Sequence, residues 1–243
     1  MAGRVIPLLE ADALFYRYAG YAGYVLNGTT LRLLPGQRVA LMGRNGSGKS
    51  TLLLHCNGIL RPERGQVCVG GIPMRYDRNG LKQWRQLVGM VFQHPDDQLF
   101  SASVMQDISF GPLNLGLHKD DVWRRVQMAA NMCGVSDLLD RPTHALSGGE
   151  KARVALAGVL AMEPQVLLAD EVIASLDPWM RRQVLDIFDH LVGLGKAVLL
   201  STHDVHLAKA WADEVLVMEE GCIAANETTM SVLAELESLV KKR

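Results

Sequence analysis

The sequence predicts an α/β fold built on a mainly parallel sheet, and three observations carry that reading. Short apolar runs of buried-strand length recur along the chain: 87–92, 165–170, 196–202 and 213–221. Segments of helical period separate many of these runs, at 120–133, 148–161, 179–193 and 205–211. One glycine-rich loop, "GRNGSGKST" (43–51), stands directly between an apolar strand and a helical stretch.

Taken in order, "LRLLPGQRVALMG" (31–43) predicts two short strands around a Pro-Gly turn, the second feeding the glycine-rich loop. A helix follows from Lys49 to about Asn57, and "GQVCVGG" (65–71) is a strand bounded by glycines. "LVGMVF" opens as a strand and runs into "QHPDDQLF", where adjacent acids precede a Leu-Phe pair. Residues 94–145 break the alternation with helical and irregular segments, as an inserted subdomain would. The alternation then resumes to residue 221, and "SVLAELESLVKKR" (231–243) predicts a short amphipathic helix with a basic tip. No internal repeat or low-complexity tract is evident.

The 243 residues suit one large α/β domain or two small ones. At 49% hydrophobic the chain is on the apolar side, which a sheet buried on both faces or a large partner interface would each produce. A net charge of -1 and a pI of 6.7 give no basic footprint for nucleic acid. The longest apolar stretches, such as Val154–Met162, fall short of the roughly 20 residues a membrane span needs. The N-terminus, broken by Pro7 and Glu10, reads as carrying no signal peptide, so the chain reads as cytosolic. Cys56, Cys68, Cys133 and Cys222 show no paired spacing and read as buried free thiols.

The loop at 43–51 fits G-x-x-x-x-G-K-[ST] in its confirming strand–helix context. Glycines let backbone N–H groups turn inward around phosphate oxygens, and the helix N-terminus adds its dipole. Lys49 can then reach the β- and γ-phosphates, Ser50 offers a hydroxyl for Mg²⁺, and Thr51 is placed near the α-phosphate. Gly43, Asn45, Gly46, Ser47 and Gly48 complete the cradle. "VLLADE" (166–171) is a buried strand whose end delivers Asp170 and Glu171 to opposite faces. Asp170 suits the metal and Glu171 the attacking water. "ALSGGEKARVALAGVLA" (145–161) places Ser147, Gly148 and Gly149 at the head of a helix, either as an ordinary N-cap or as a second anion site. A second anion site makes sense if it serves a nucleotide held by another copy.

With these motifs in this order the chain resembles the ATP-binding-cassette (ABC) ATPases along essentially its whole length. "LSGGE" (146–150) matches the family signature, and Asp170-Glu171 the acidic pair. Tyr18, standing among Tyr16, Tyr21 and Tyr24, matches the aromatic that stacks on adenine. Gln93 matches the glutamine that senses Mg²⁺ and the transport partner. "SLDP" (175–178) resembles the loop crossing the dimer interface, and His203 the switch histidine, with His206 incidental. The resemblance implies a single cassette. A nucleotide-binding core with an N-terminal antiparallel β subdomain would span about 1–93 and 162–243, and a helical signature subdomain about 94–161. It implies ATP hydrolysis with Glu171, His203 and Lys49 at the chemistry. Mg²⁺ would be held by Ser50, Gln93 and Asp170, with Ser147–Gly149 acting in trans across a homodimer. Val172 stands where the family usually has proline, and the stretch after the last strand is shorter than in many relatives.

From residue types alone, Asp96, Asp97, Asp107, Leu99, Phe100 and Phe110 read equally as a solvated acidic turn or as charged and apolar anchors of an interface. "FQHPDDQLFSASVMQDISFGPLNLGL" (92–117) is similar to the ATPases of energy-coupling-factor importers, especially their cobalt and nickel branch. That similarity implies a peripheral subunit on the cytoplasmic face of the membrane. Its partners would be a transmembrane scaffold (T) component, gripped by Asp96, Asp97, Leu99 and Phe100, and a metal-capturing membrane (S) component. A vitamin importer, a soluble ABC ATPase without transport, and a nucleotide-binding regulator without turnover are the alternatives.

Overall fold

The computed structural model describes residues 5–174 and 176–224. Along the chain come β1 (Leu9–Tyr16), β2 (Leu26–Leu33), β3 (Arg38–Met42), α1 (Lys49–Cys56), β4 (Arg64–Val69) and β5 (Ile72–Pro73). Next are α2 (Arg78–Leu87), β6 (Val88–Val91), α3 (Val104–Leu115), α4 (Lys119–Met132) and α5 (Gly148–Leu160). The chain continues through β7 (Val166–Asp170), α6 (Pro178–Gly193), β8 (Ala197–Ser201), α7 (Val205–Trp211), β9 (Glu214–Glu219) and β10 (Cys222–Ile223).

The strands form two sheets. Six lie in the order β10-β9-β3-β8-β7-β6, parallel throughout except for the edge strand β10. The other four lie in the order β2-β1-β4-β5 and are antiparallel. The two strands flanking the Pro-Gly turn of "LRLLPGQRVALM" therefore belong to different sheets, and the turn is a crossing point between layers.

Alternate residues of the central strands face opposite cores. Leu167 and Ala169 of β7, with Val198 and Leu200 of β8, join α3–α6 in one apolar cluster that includes Ile108, Val126, Leu156 and Phe188. Val166 and Leu168, with Ala197 and Leu199, join α1 and the antiparallel sheet in a second cluster that includes Leu9, Leu31 and Leu52. Burial on both faces explains why these strands read as continuous apolar runs. It also accounts for much of the apolar composition.

Strand β1 and helix α2 escaped the sequence reading for identifiable reasons, as did the two-residue strands β5 and β10. In β1 the register shifts between Ala11 and Leu14, with Ala13 at φ 46°, so the bulge breaks the period-2 pattern. Helix α2 is short and largely polar and buries only Trp84, so its one apolar face is too brief to stand out. One expectation is corrected. Cys56, Cys68 and Cys133 are buried, but Cys222 is half-buried on the edge strand β10, where its thiol donates to the Asn27 carbonyl at 3.0 Å. The amphipathic stretch 231–243 and Ser175 of "SLDP" lie outside the described residues.

Candidate functional site

Strand β3 ends at Met42, and residues 43–48 carry the chain into α1. Gly48 caps that helix at φ 110°, where L side chains are strained, and a Cβ there would lie 2.8 Å from the Val25 carbonyl. No side chain caps the helix, so its first amides are without a side-chain partner. Ser47 Oγ is buried in the loop without a hydrogen-bond partner. An orphaned hydroxyl is costly in an apolar surround and is what a phosphate cradle requires. Lys49 is 5% exposed, and its ammonium donates to the carbonyls of Gly43 (2.9 Å) and Arg44 (3.4 Å). Burial pulls its pKa down, and the carboxylates of Glu171 and Asp170 pull it back up. Arg44, Asn45, Gly46 and Ser50 are exposed on the rim.

Tyr18 stands beside this loop, with its hydroxyl 3.2 Å from Thr51 Oγ1. Its ring meets Tyr16 edge-on at 5.0 Å, and Tyr16 in turn meets His55 of α1 at 4.5 Å. The buried His55 ring is held by the Thr51 carbonyl at 2.7 Å, and burial lowers its pKa. A short stack thus fixes the aromatic that the sequence nominated for adenine.

Asp170 and Glu171 leave β7 beside the end of β8, where Asp170 pairs in register with Ser201. Ser201 organises both acids: its hydroxyl donates to Asp170 Oδ1 at 2.6 Å, and its carbonyl and Oγ each accept the Glu171 N–H at 3.2 Å. Glu171 adopts φ 50°, a left-handed conformation costing about 1–3 kcal/mol for a non-glycine residue. Its carboxylate lies 2.6 Å from His203 Nε2, 3.7 Å from Lys49 Nζ and 3.4 Å from the donating Gln93 amide. Three residues nominated separately from distant parts of the sequence therefore meet at one carboxylate. Val172 points away into the apolar cluster shared by α5 and α6. The role of Ser201 has no local signal in the sequence, because it depends on β8 lying beside β7.

Ser147 caps α5 in a reciprocal arrangement: its Oγ accepts the Glu150 N–H at 3.4 Å, and Glu150 Oε2 accepts the Ser147 N–H at 2.7 Å. The Ser147 side chain and backbone are thus both engaged with Glu150, and their hydrogen bonds hold its carboxyl below the usual range. A Cβ on Gly148 would meet nothing within 4 Å, so the head of the helix is open on that side. Among the described residues, no hydrogen bond or ion pair joins Ser147–Gly149 to the phosphate loop.

The loop after Gln93 makes a short 3₁₀ turn at Pro95–Asp97. Asp96 pairs with Lys151 of α5 at 2.5 Å, and Asp97 is exposed. Leu99 packs partly into the core, whereas Phe100 is 65% exposed and meets Phe110 edge-on at 4.6 Å. Both rings line a groove of about 310 Å³ with Ile59, Phe92 and Met162. Asp107 corrects the reading that cast it as an outward anchor. It is buried and accepts the N–H groups of Phe100 (3.0 Å) and Ser101 (2.8 Å), holding the loop from within. A larger groove of about 790 Å³ lies along β2, β9 and β10, away from these groups, and we place no chemistry there. Among the described residues no helix is long and apolar enough to cross a membrane.

The family model described as ABC transporter matches residues 26–174. The chain is 44% identical to the energy-coupling factor transporter ATP-binding protein EcfA of Methanocaldococcus jannaschii, over 96% of this chain and 84% of that protein. It is 46% identical to the cobalt import ATP-binding protein CbiO of Rhodobacter capsulatus, over 97% of this chain and 84% of that one. The solved structure of cbiO1 from Clostridium perfringens, described as part of the ABC transporter complex cbiONQ, superposes with a TM-score of 0.81. It is 40% identical and covers 97% of this chain and 94% of its own.

Proposed function

The chain belongs to the ABC transporter family of ATP-binding proteins, and we propose that it is the ATPase of an energy-coupling-factor importer whose cargo is cobalt or nickel. ATP is bound and hydrolysed by this family. The observation that carries the residue assignments is the convergence of Lys49, Gln93 and His203 on the Glu171 carboxylate. The cargo assignment rests on the similarity to CbiO and cbiO1, whose names and description give cobalt import and a transporter complex.

In this reading the amides of residues 46–51 and the Ser47 hydroxyl hold the phosphates of ATP, and Tyr18 holds the base. Ser50, Gln93 and Asp170 would hold Mg²⁺, which when bound neutralises charge on the β- and γ-phosphates. The donor set fits: Asp170 is an oriented carboxylate, and Gln93 turns its amide nitrogen to Glu171, leaving the carbonyl oxygen for the cation. Glu171 accepts a proton from the attacking water, and its left-handed backbone sets the direction of that carboxylate. His203 and Lys49 bring positive or hydrogen-bonding groups to the γ-phosphate, which is electrostatic stabilisation of developing charge.

Two copies would close head to tail, each presenting Ser147–Gly149 to the other's nucleotide. The open face at Gly148 supports that arrangement. The core of about 1–93 and 162–243 would move against the helical piece of about 94–161. Asp97 and Phe100 on the loop, with Leu99 and Asp96 behind them, would grip a transmembrane scaffold at the cytoplasmic face, and a separate membrane protein would capture the ion. Deleting the chain in its host should reduce cobalt or nickel accumulation while leaving vitamin uptake unchanged. A vitamin defect with normal metal content would move the assignment to the vitamin branch.

A further inference from the structure

Ser147, Lys151, Ala155 and Val159 recur every four residues and so share one side of α5, drifting by about 40° per step. Each of the last three meets the segment running from β6 through the docking loop. At the far end, a Cβ on Gly89 would lie 2.5 Å from Val159 Cγ1, so strand and helix touch there. One turn nearer the cap, the Ala155 carbonyl accepts the Gln98 amide at 3.3 Å. One turn nearer still, Lys151 Nζ reaches Asp96 at 2.5 Å. The same Gln98 side chain accepts the Phe92 N–H through Oε1 at 3.1 Å, and Phe92 immediately precedes Gln93. A single glutamine therefore bridges the strand end that carries Gln93 and the helix that carries Ser147.

We infer that Gln98 and the Asp96–Lys151 pair are positioning residues: they set where Ser147 and the head of α5 stand, so that a load on the docking loop is delivered to the signature. The inference rests on the reading above in which that signature serves a nucleotide on a second copy. Its force is geometric. The Asp96 side chain is 73% exposed, so the ion pair contributes little stability. Gln98 is half-buried and uses both ends of its amide, which makes its length and polarity hard to replace.

The test uses the full chain with three variants. Lys151→Met removes one tie at an exposed pair. Gln98→Glu keeps an acceptor for Phe92 but sets a carboxylate against the Ala155 carbonyl. Asp96→Lys with Lys151→Asp reverses the pair and keeps it. The two single variants should lower kcat about tenfold and leave nucleotide affinity within about twofold, the span expected for coupling residues that touch no ligand. Amide exchange over 148–152 should accelerate in both, and the reversed pair should restore exchange and kcat. Unchanged exchange in the single variants, or no restoration by the reversed pair, overturns the inference. If exchange responds as stated but the unaltered chain turns over no ATP, the ties stand and the ATPase reading fails.

Discussion

The Glu171 carboxylate lies 2.6 Å from His203 Nε2, across 32 residues of sequence, because β7 and β8 are parallel neighbours that end together. Register places Asp170 opposite Ser201, and two residues further His203 comes over the acid. The contact is a property of the sheet edge. On the proposed role of His203, in which the imidazole acts on charge developing in the transition state, His203→Ala should reduce turnover by roughly a hundredfold while ATP still binds. Steady-state ATPase rates beside equilibrium nucleotide binding check this.

Gly48 is required by its backbone. At φ 110°, with the Val25 carbonyl 2.8 Å from any Cβ, Gly48→Ala should cost about 1–3 kcal/mol of stability and abolish nucleotide binding. Thermal unfolding with and without ATP measures both effects, and the unaltered chain alone should show a nucleotide-dependent rise.

The loop after Gln93 divides into groups that hold it and groups that face outward. Asp107 and Asp96 are engaged within the chain, whereas Asp97 and Phe100 face outward. Asp97→Ala with Phe100→Ala should weaken co-purification with a membrane scaffold by about tenfold or more, as loss of a charged and an aromatic anchor does. Nucleotide binding by the isolated chain should be unaffected.

Acid should loosen the head of α5. The Ser147 amide holds the Glu150 carboxyl below its usual range, with Arg141 adding to the effect. A lowered folded value means the capping contact contributes fully above the ordinary carboxylate pKa. The contribution is then lost as pH falls through the lowered one. The protection of the amides over 147–151, taken as exchange corrected for the intrinsic pH dependence of its rate, should therefore fall on acidification below that ordinary range, and Glu150→Ala should show the lower protection already at neutral pH.

Thiol chemistry should single out the edge strand. Burial pushes the Cys56 and Cys133 thiols up to about 12 and raises Cys68 as well, so all three are protonated and shielded. A disulfide reagent should label native protein at Cys222 first and all four cysteines only after denaturation.

The sheet and the phosphate loop were legible in the sequence because their signals are local. Buried parallel strands read as apolar runs, and glycine spacing with Lys49 fixes the loop. Strand β1 was hidden by its bulge at Ala13, and α2 by its single buried side chain. At the site, Glu171, His203, Gln93 and Lys49 could each be nominated from motifs, but their meeting at one carboxylate depends on strand order, which spacing does not encode. Ser201 and Gln98 escaped for the same reason. Each acts through backbone atoms far away in sequence, at Glu171 for one and at Ala155 for the other. Asp107 looked like a surface acid because nothing local reveals that two amides of its own loop turn back to it.

The central claim is that this chain hydrolyses ATP through Glu171. Single-turnover hydrolysis by Glu171→Gln, measured with its ATP affinity, tests it most directly. The account predicts turnover reduced by roughly a hundredfold or more with ATP affinity retained, because the amide cannot take the proton of the attacking water. Full turnover in that variant would contradict it.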